Sequence, residues 1–309
     1  MNGNEKNTVG IADNGSIEFF PLNIPLLARI TPMLAESRYM LCDYTPGGLL
    51  FGMRKLYSPA VCVRGESLFI SILSDDRMHR EYLMPTGGDE DSLDMLARYA
   101  RENGHPLTVH GTAEGAERAA RYFRRGYEVS DELCDYVYDA HALATLEGPD
   151  YHTQRTNIRK FEREHTSWGY ERIDARNLTE AVAFADRLFA GLGDDGSRYF
   201  RAGVEIVYDA LANLDALSLR GGLLRADGAV CGVAVGFVKH GMLYIHVLRA
   251  DKSVWGAWNM LCREFVRDNL EDIKYVNMED DLGDEGIRRM KMSYAPLRFI
   301  KRARTTVVW

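Results

Sequence analysis

With 309 residues, 46% of them hydrophobic and 27% charged, the chain has the composition of an ordinary globular protein and the length of two domains. Its formal charge of −7 argues against a generalised nucleic-acid binder and against DNA as a partner, while leaving room for a local basic groove. Five scattered cysteines (Cys42, Cys62, Cys134, Cys231, Cys262), odd in number and never spaced as C-x-x-C, argue for reduced thiols and against a metal site. The longest apolar run, around Val230 to Val238, is glycine-broken and too short to cross a bilayer. The polar start through Asn14 lacks the apolar stretch of a signal peptide, so a cytoplasmic protein without integral membrane contact is expected.

After a flexible start (1–16), Ile17 to Leu22 reads as a strand and Ile24 to Ser37 as a helix with Pro25 in its first turn. Residues 59–72 read as a hairpin, two β-rich runs about a glycine turn. A third strand ends at Pro85. A helix follows with Leu93, Leu96, Ala97 and Ala100 at i, i+3, i+4 and i+7 and Gly104 as its stop. Then come a strand (Leu107 to His110), a helix with Ala116, Ala119, Ala120 and Phe123 on one face, the run Tyr122-Phe-Arg-Arg-Gly-Tyr, and a strand at Cys134 to Asp139.

Past the breaker pair Gly148-Pro149, Tyr151 to Glu164 reads as a helix carrying His152, Arg155, Arg159 and Arg163 in one basic stripe. That stripe is either a solvated face or a contact for phosphate, because guanidinium forks suit phosphate oxygens. The second half then repeats the first. It has a strand (Tyr170 to Ile173), two helices, a meander from Gly222 to Leu248, and a helix with Trp258, Leu261, Cys262, Phe265 and Val266 inward. It closes on residues 276–296. There a short strand runs into Glu279, Asp280 and Asp281, a turn follows, and a helix from about Asp284 to Met292 is closed by Pro296. The helical spacing puts Ile287, Met290 and Tyr294 on an apolar face with Lys291 at its border, either snorkelling to solvent or reaching into a cleft.

Tyr122-x-x-x-Gly126-Tyr127 resembles the end of a GCN5-related N-acetyltransferase (GNAT) domain, in which the equivalent of Tyr122 protonates the thiolate leaving group of coenzyme A. The matching donor loop, Thr86-Gly-Gly-Asp-Glu-Asp, carries three carboxylates that would repel phosphate, so the first half reads as degenerate; Tyr122 is otherwise a core aromatic. Roughly residues 17–302 resemble the family named for the C-terminal domain of bacterial phosphatidylglycerol lysyltransferase, specifically its small soluble members. The resemblance is carried by Gly148-x-x-Tyr151-x-x-x-Arg155-x-x-Ile158-x-x-Phe161, by Gly221-Gly-Leu-Leu-Arg-Ala-Asp-Gly228, by His246-Val, by Gly256-Ala257 and by the run from Asn277 to Pro296. Met290-Lys291-x-x-Tyr294 also resembles the Phe-Lys-x-x-Phe element of the related Fem-type peptidyltransferases. The chain departs from the family pattern at Pro149, Asp150 and Gln154, where lysines are common, and at Leu248 and Met278, where a glutamate and an arginine are common.

The resemblance implies a mixed α/β (α+β) fold of tandem GNAT domains, each a mostly antiparallel mixed sheet flanked by helices. They would span 17–145 and 146–309, with the site in the second. It implies acyl or aminoacyl transfer to an amine or hydroxyl, from aminoacyl-tRNA or acyl-CoA, with no permanently bound cofactor. Such transfer needs a positioned ester or thioester, a deprotonated acceptor and a stabilised oxyanion. Lys291 is the candidate for the oxyanion or for gripping donor phosphates, and Asp281 or Glu279 for deprotonating the acceptor. Asn277, Arg288, Tyr294, His246, Arg155 and Arg159 are candidates for substrate binding. A non-catalytic module binding a small ligand or partner is the alternative, and a monomer is expected because the halves form a pseudo-dimer.

Overall fold

The computed structural model describes residues 17–53, 57–74, 78–87, 90–190 and 198–309. The chain opens with β1 (Phe20–Pro21) and α1 (Ile24–Glu36), capped by the Asn23 side chain, which accepts the Leu26 N–H at 2.9 Å. The expected strand at 17–22 shrinks to two residues: β1 meets its neighbour only at Phe20 and Pro21, and proline has no N–H for the ladder. A 3₁₀ turn (Cys42–Tyr44) leads into α2 (Pro46–Met53). Then come β2 (Ala60–Arg64), β3 (Ser67–Leu73), β4 (Arg80–Leu83), α3 (Glu90–Glu102), β5 (Leu107–Thr112), α4 (Ala113–Phe123), β6 (Glu128–Asp139) and α5 (Ala140–Thr145).

The second repeat is α6 (His152–Glu164), β7 (Trp168–Arg172), α7 (Leu178–Ala190), α8 (Arg198–Ala212), β8 (Arg220–Ala226), β9 (Ala229–Lys239), β10 (Met242–Ala250), α9 (Ala257–Asn269), β11 (Tyr275–Asn277), α10 (Glu285–Met292) and β12 (Arg298–Val307). From β1 and again from β7, the order is strand, two helices, three strands, helix, strand, helix, strand, so the repeat read from local patterns is present. The fold is mixed α/β, built of two repeats of like element order.

The chain forms two compact units that interleave in sequence. The first holds residues 1–40, 57–130 and 302–309, and the second 41–56 and 131–301. A single cut after residue 145 therefore misses two transfers. In the first unit the strands run β1-β2-β3-β4-β5 and then the Arg302–Val307 part of β12, antiparallel except for the β4–β5 pair. In the second they run β6-β11-β10-β9-β8-β7, antiparallel except for β10–β11. Each repeat thus gives its last strand to the other repeat's sheet, and the segment with α2 serves the second unit as well.

Burial in the second unit follows from the 3.6-residue spacing of α9, whose Ala257, Leu261, Phe265 and Val266 are buried against Phe161 of α6 and Val276 of β11. This core fixes the ends of β10 and β11, where the candidate site lies.

Candidate functional site

β10 and β11 pair in parallel for three residues only, Met242–Tyr244 against Tyr275–Asn277. β10 then stays with β9 as far as Ala250, with a register shift between Ile245 and Val247. The chain beyond Asn277 instead follows β6: Met278 N–H donates to the Tyr136 carbonyl at 3.0 Å and Tyr136 N–H to the Glu279 carbonyl at 3.1 Å. The two strands therefore part, and the site is built around the fork.

The loop beyond β11 is held by short polar side chains that bond the backbone two or three residues ahead. Asn277 Oδ1 accepts from Glu279 N–H at 2.7 Å, Asp280 Oδ1 from Leu282 N–H at 3.0 Å and Asp281 Oδ1 from Gly283 N–H at 2.9 Å. Asp284 caps α10 through the Ile287 N–H at 2.8 Å. Two non-glycine residues here are left-handed, Glu279 (φ +63°) and Leu282 (φ +53°), a conformation that persists only where the surroundings over-determine it.

Lys291 supplies much of that constraint. Its ammonium donates to the carbonyls of Met278 (2.6 Å), Glu279 (3.2 Å) and Asp280, and lies 5.5 Å from the Tyr136 ring centroid. Lys291 is the buried residue of α10, whereas Ile287 and Met290 are only half-buried, which reverses the burial that helical spacing alone suggests. Burial lowers its pKa, and the charges of Glu279, Asp280 and Asp135 oppose that shift.

Asp281 is also occupied. Its carboxylate accepts from Arg288 Nε at 2.7 Å and from the Tyr136 hydroxyl at 2.7 Å. Burial pushes its carboxyl up, but Arg288, Tyr136 and the Gly283 N–H outweigh burial and hold it at about 2. A carboxylate held so low is a weak proton acceptor at neutral pH. Tyr136, buried and bonded to Asp281, is pushed up to about 12.

Across the fork, His246 Nδ1 lies 2.6 Å from Glu279 Oε1, with the His246 side chain 1% exposed and that of Glu279 27% exposed. The Nε2 of His246 is buried and has no hydrogen-bond partner among the described residues, a state that costs about 1–3 kcal/mol. The ring lies near parallel to that of Tyr244 at 6.4 Å and flat against α2 at Gly47, where any Cβ would overlap the imidazole. Beneath Glu279, fully buried Asp135 accepts from Asn277 Nδ2 at 2.9 Å and from Cys42 N–H at 2.7 Å, tying the start of the α2 segment to the fork.

Beside the fork, a cleft of about 460 Å³ opens at the start of α9, lined among others by Arg249, Lys252, Trp255, Trp258, Asn157 and Met290. Arg249 and Lys252 make no hydrogen bond or ion pair with another described residue. The Trp255 indole, 53% exposed, donates to Asn157 Oδ1 at 3.2 Å and carries the Lys160 ammonium 4.3 Å from its ring centroid. Tyr294 lies behind the cleft, its hydroxyl accepting from Asn259 Nδ2 at 2.5 Å, its pKa pushed well up by burial.

Asn277, Glu279, Asp281, Arg288, Lys291 and His246 thus converge on the fork, and Tyr294 lies behind the adjacent cleft. Arg155 does not join them: its guanidinium bonds the carbonyls of Leu146 and Gly148 (2.6 Å), sealing the turn after α5, while Arg159 is exposed on α6. In the first unit Tyr122 is half-buried rather than a core aromatic, its phenol pushed up to about 12 by a hydrogen bond to Asp94. Of the matching loop, Gly88 and Asp89 lie outside the described residues. Sequence reasoning missed Asp135, Gly47, Arg249 and Trp255. The doubled glycine after Pro46, in an otherwise apolar stretch, was the one readable sign of close backbone approach.

A sequence profile described as "Phosphatidylglycerol lysyltransferase, C-terminal" matches residues 52–303. No curated protein matches the chain. Among solved structures, a conserved protein of unknown function from Bacteroides thetaiotaomicron is 25% identical with a TM-score of 0.83, the match covering 94% of this chain and 99% of that one. L-PGS from Bacillus licheniformis is 15% identical with a TM-score of 0.62, covering 89% and 90%. FemX is 10% identical with a TM-score of 0.55, covering 94% and 98%. The fold is therefore aminoacyltransferase-like, and the profile spans most of the sequence: the chain belongs to the family of phosphatidylglycerol lysyltransferase C-terminal domains.

Proposed function

We propose that the second unit transfers an acyl group, by preference an aminoacyl group from aminoacyl-tRNA, to an amine or hydroxyl acceptor at the fork between β10 and β11. The observation that carries this reading is the pairing of His246 with Glu279 across strands that have parted, beside a cleft lined by Arg249 and Lys252. Aminoacyl-tRNA and acyl-CoA both end in a phosphate-bearing adenosine. Arg249 and Lys252 would meet the phosphates, and the exposed, braced indole of Trp255 would stack on the base.

In this reading Lys291 acts by holding the carbonyls of 278–280 in place, which aims Glu279 at His246, since its ammonium is already committed to them. Arg288 and Asp281 pin the same loop from its other side. Asn277 sets the turn that carries Glu279.

Transfer assays with lysyl-tRNA, alanyl-tRNA and acetyl-CoA, each offered with small primary amines and alcohols, test the proposal. Consumption of an aminoacyl-tRNA dependent on the acceptor supports it, with Trp255→Ala and Arg249→Gln raising the donor KM. Micromolar binding of acetyl-CoA by calorimetry, without consumption of aminoacyl-tRNA, would replace the aminoacyl donor with acyl-CoA. No turnover with any donor leaves a binding module.

A further inference from the structure

We propose that His246 Nε2 is the atom that takes the proton from the attacking amine or hydroxyl, with Glu279 as its positioning residue; this rests on the transfer reading above.

The tautomer follows from the contacts. Glu279 Oε1, 2.6 Å from Nδ1, is an acceptor, so the ring hydrogen sits on Nδ1 and the lone pair is left on Nε2. A basic nitrogen shut away from water with nothing to accept from is a place that a substrate N–H or O–H completes. The other carboxylates near the fork are spoken for. Asp281 is bound by Arg288, Tyr136 and Gly283, and Asp135 by Asn277 and the Cys42 N–H.

The surroundings fix the ring and leave Nε2 without a hydrogen-bond partner among the described residues. The register shift at 245–247 turns His246 out of the ladder, Tyr244 lies parallel to it, and Gly47 offers its bare backbone to the ring face. Glu279 is held by the Asn277 side chain and, through its carbonyl, by the Tyr136 N–H and Lys291. The enclosure that shuts Nε2 away from solvent keeps water from the same base and so protects the donor ester from hydrolysis.

The step balances within donor and acceptor. The acceptor nitrogen or oxygen bonds to the donor carbonyl carbon while its proton passes to Nε2. The carbon–oxygen bond to the tRNA ribose (or the carbon–sulfur bond to coenzyme A) breaks, and the same proton goes from the imidazolium to the departing oxygen or sulfur. No oxidant, metal or further reactant takes part.

The test uses the full chain with lysyl-tRNA, alanyl-tRNA and acetyl-CoA as donors and small primary amines and alcohols as acceptors. His246→Ala and His246→Gln should lower kcat by about 100-fold or more, the usual share of a general base, with donor KM changed less than about threefold. Glu279→Gln should lower kcat by about tenfold. Added imidazole should restore turnover to His246→Ala, and methylimidazoles should do so in order of their basicity, which mere filling of a space would not produce.

Wild-type kcat in His246→Gln overturns the inference alone. Absence of transfer by the wild type overturns it together with the transfer reading. A readout without substrate guards against misfolded variants: ¹⁵N shifts of the wild-type His246 ring must place the hydrogen on Nδ1, and a hydrogen on Nε2 alone overturns the assignment.

Discussion

The ammonium of Lys291 donates to the Met278 carbonyl at 2.6 Å, so a charged side chain from α10 stands where a loop would otherwise bury bare carbonyls. The carbonyls of Glu279 and Asp280 share the same nitrogen. Removing one partner of a buried charged contact costs more than the contact is worth, because the other partner is left unsolvated. Lys291→Met should therefore destabilise the second unit by about 3 kcal/mol. Urea unfolding followed by tryptophan fluorescence measures it, and a change below about 1 kcal/mol would mean that water replaces the ammonium.

Asp281 predicts an acid limb. Its folded pKa, about 2, lies below the unfolded value near 3.9, so the carboxylate's contribution is complete above pH 4 and is lost as pH falls towards 2. Discounted for the solvent-exposed Arg288, that contribution is about 1–2 kcal/mol. Asp281→Asn should lower the urea midpoint at pH 7, and the gap from wild type should shrink by pH 2.5. An unchanged gap would place the stabilisation elsewhere.

Gly47 gives a prediction in which the sign is informative. Alanine in place of glycine inside a helix usually gains up to about 1 kcal/mol. At Gly47 the new Cβ would overlap the His246 ring, so Gly47→Ala should instead lose about 1–3 kcal/mol and move the imidazole from Glu279. Thermal melting checks the sign, and a rise in Tm would show that the ring has room to retreat.

In the first unit, Glu81 sits between His110 Nε2 (2.5 Å) and His79 Nε2 (3.4 Å). The hydrogen bond from His110 lowers its carboxyl pKa, against the opposing push of burial. The folded value is the depressed one, so this contribution is present above the unfolded pKa and lost as pH falls through the folded pKa. His110→Gln should therefore weaken the wild-type acid transition of this unit by about 1 kcal/mol. Amide exchange along β4 and β5 between pH 3 and 6 is the measurement.

What was legible in the sequence was local. The spacing of Leu93, Leu96, Ala97 and Ala100 predicted a buried face and all four are buried, because burial along one helix depends on neighbours three and four residues away. The same logic left Lys291 open between solvent and cleft. A helical wheel weighs apolar gain and has no way to represent carbonyls presented by residues 278–280. Asp135 and Cys42, 93 residues apart, meet only through the fold, and no periodicity encodes that contact. His246 was legible as an unusual residue in an apolar strand, but its carboxylate partner was set by a left-handed turn at Glu279 that no propensity favours. The exchange of final strands was invisible for a simpler reason. β6 and β12 occupy the same place in the two repeats, so either could have closed either sheet.

That exchange sets a timetable for synthesis. On a ribosome, α1, β1 to β5 and α3 to α4 emerge early, yet the neighbour of β5, Arg302–Val307, is made almost 200 residues later, and Thr305 Oγ1 reaches the Ala116 carbonyl at 2.9 Å only then. Until that point β5 presents an open ladder edge, the feature that invites pairing with a neighbouring nascent chain. A ribosome stalled before residue 302 therefore displays a first unit that is primed for aggregation, and chaperone dependence during translation should end abruptly as the final strand is released.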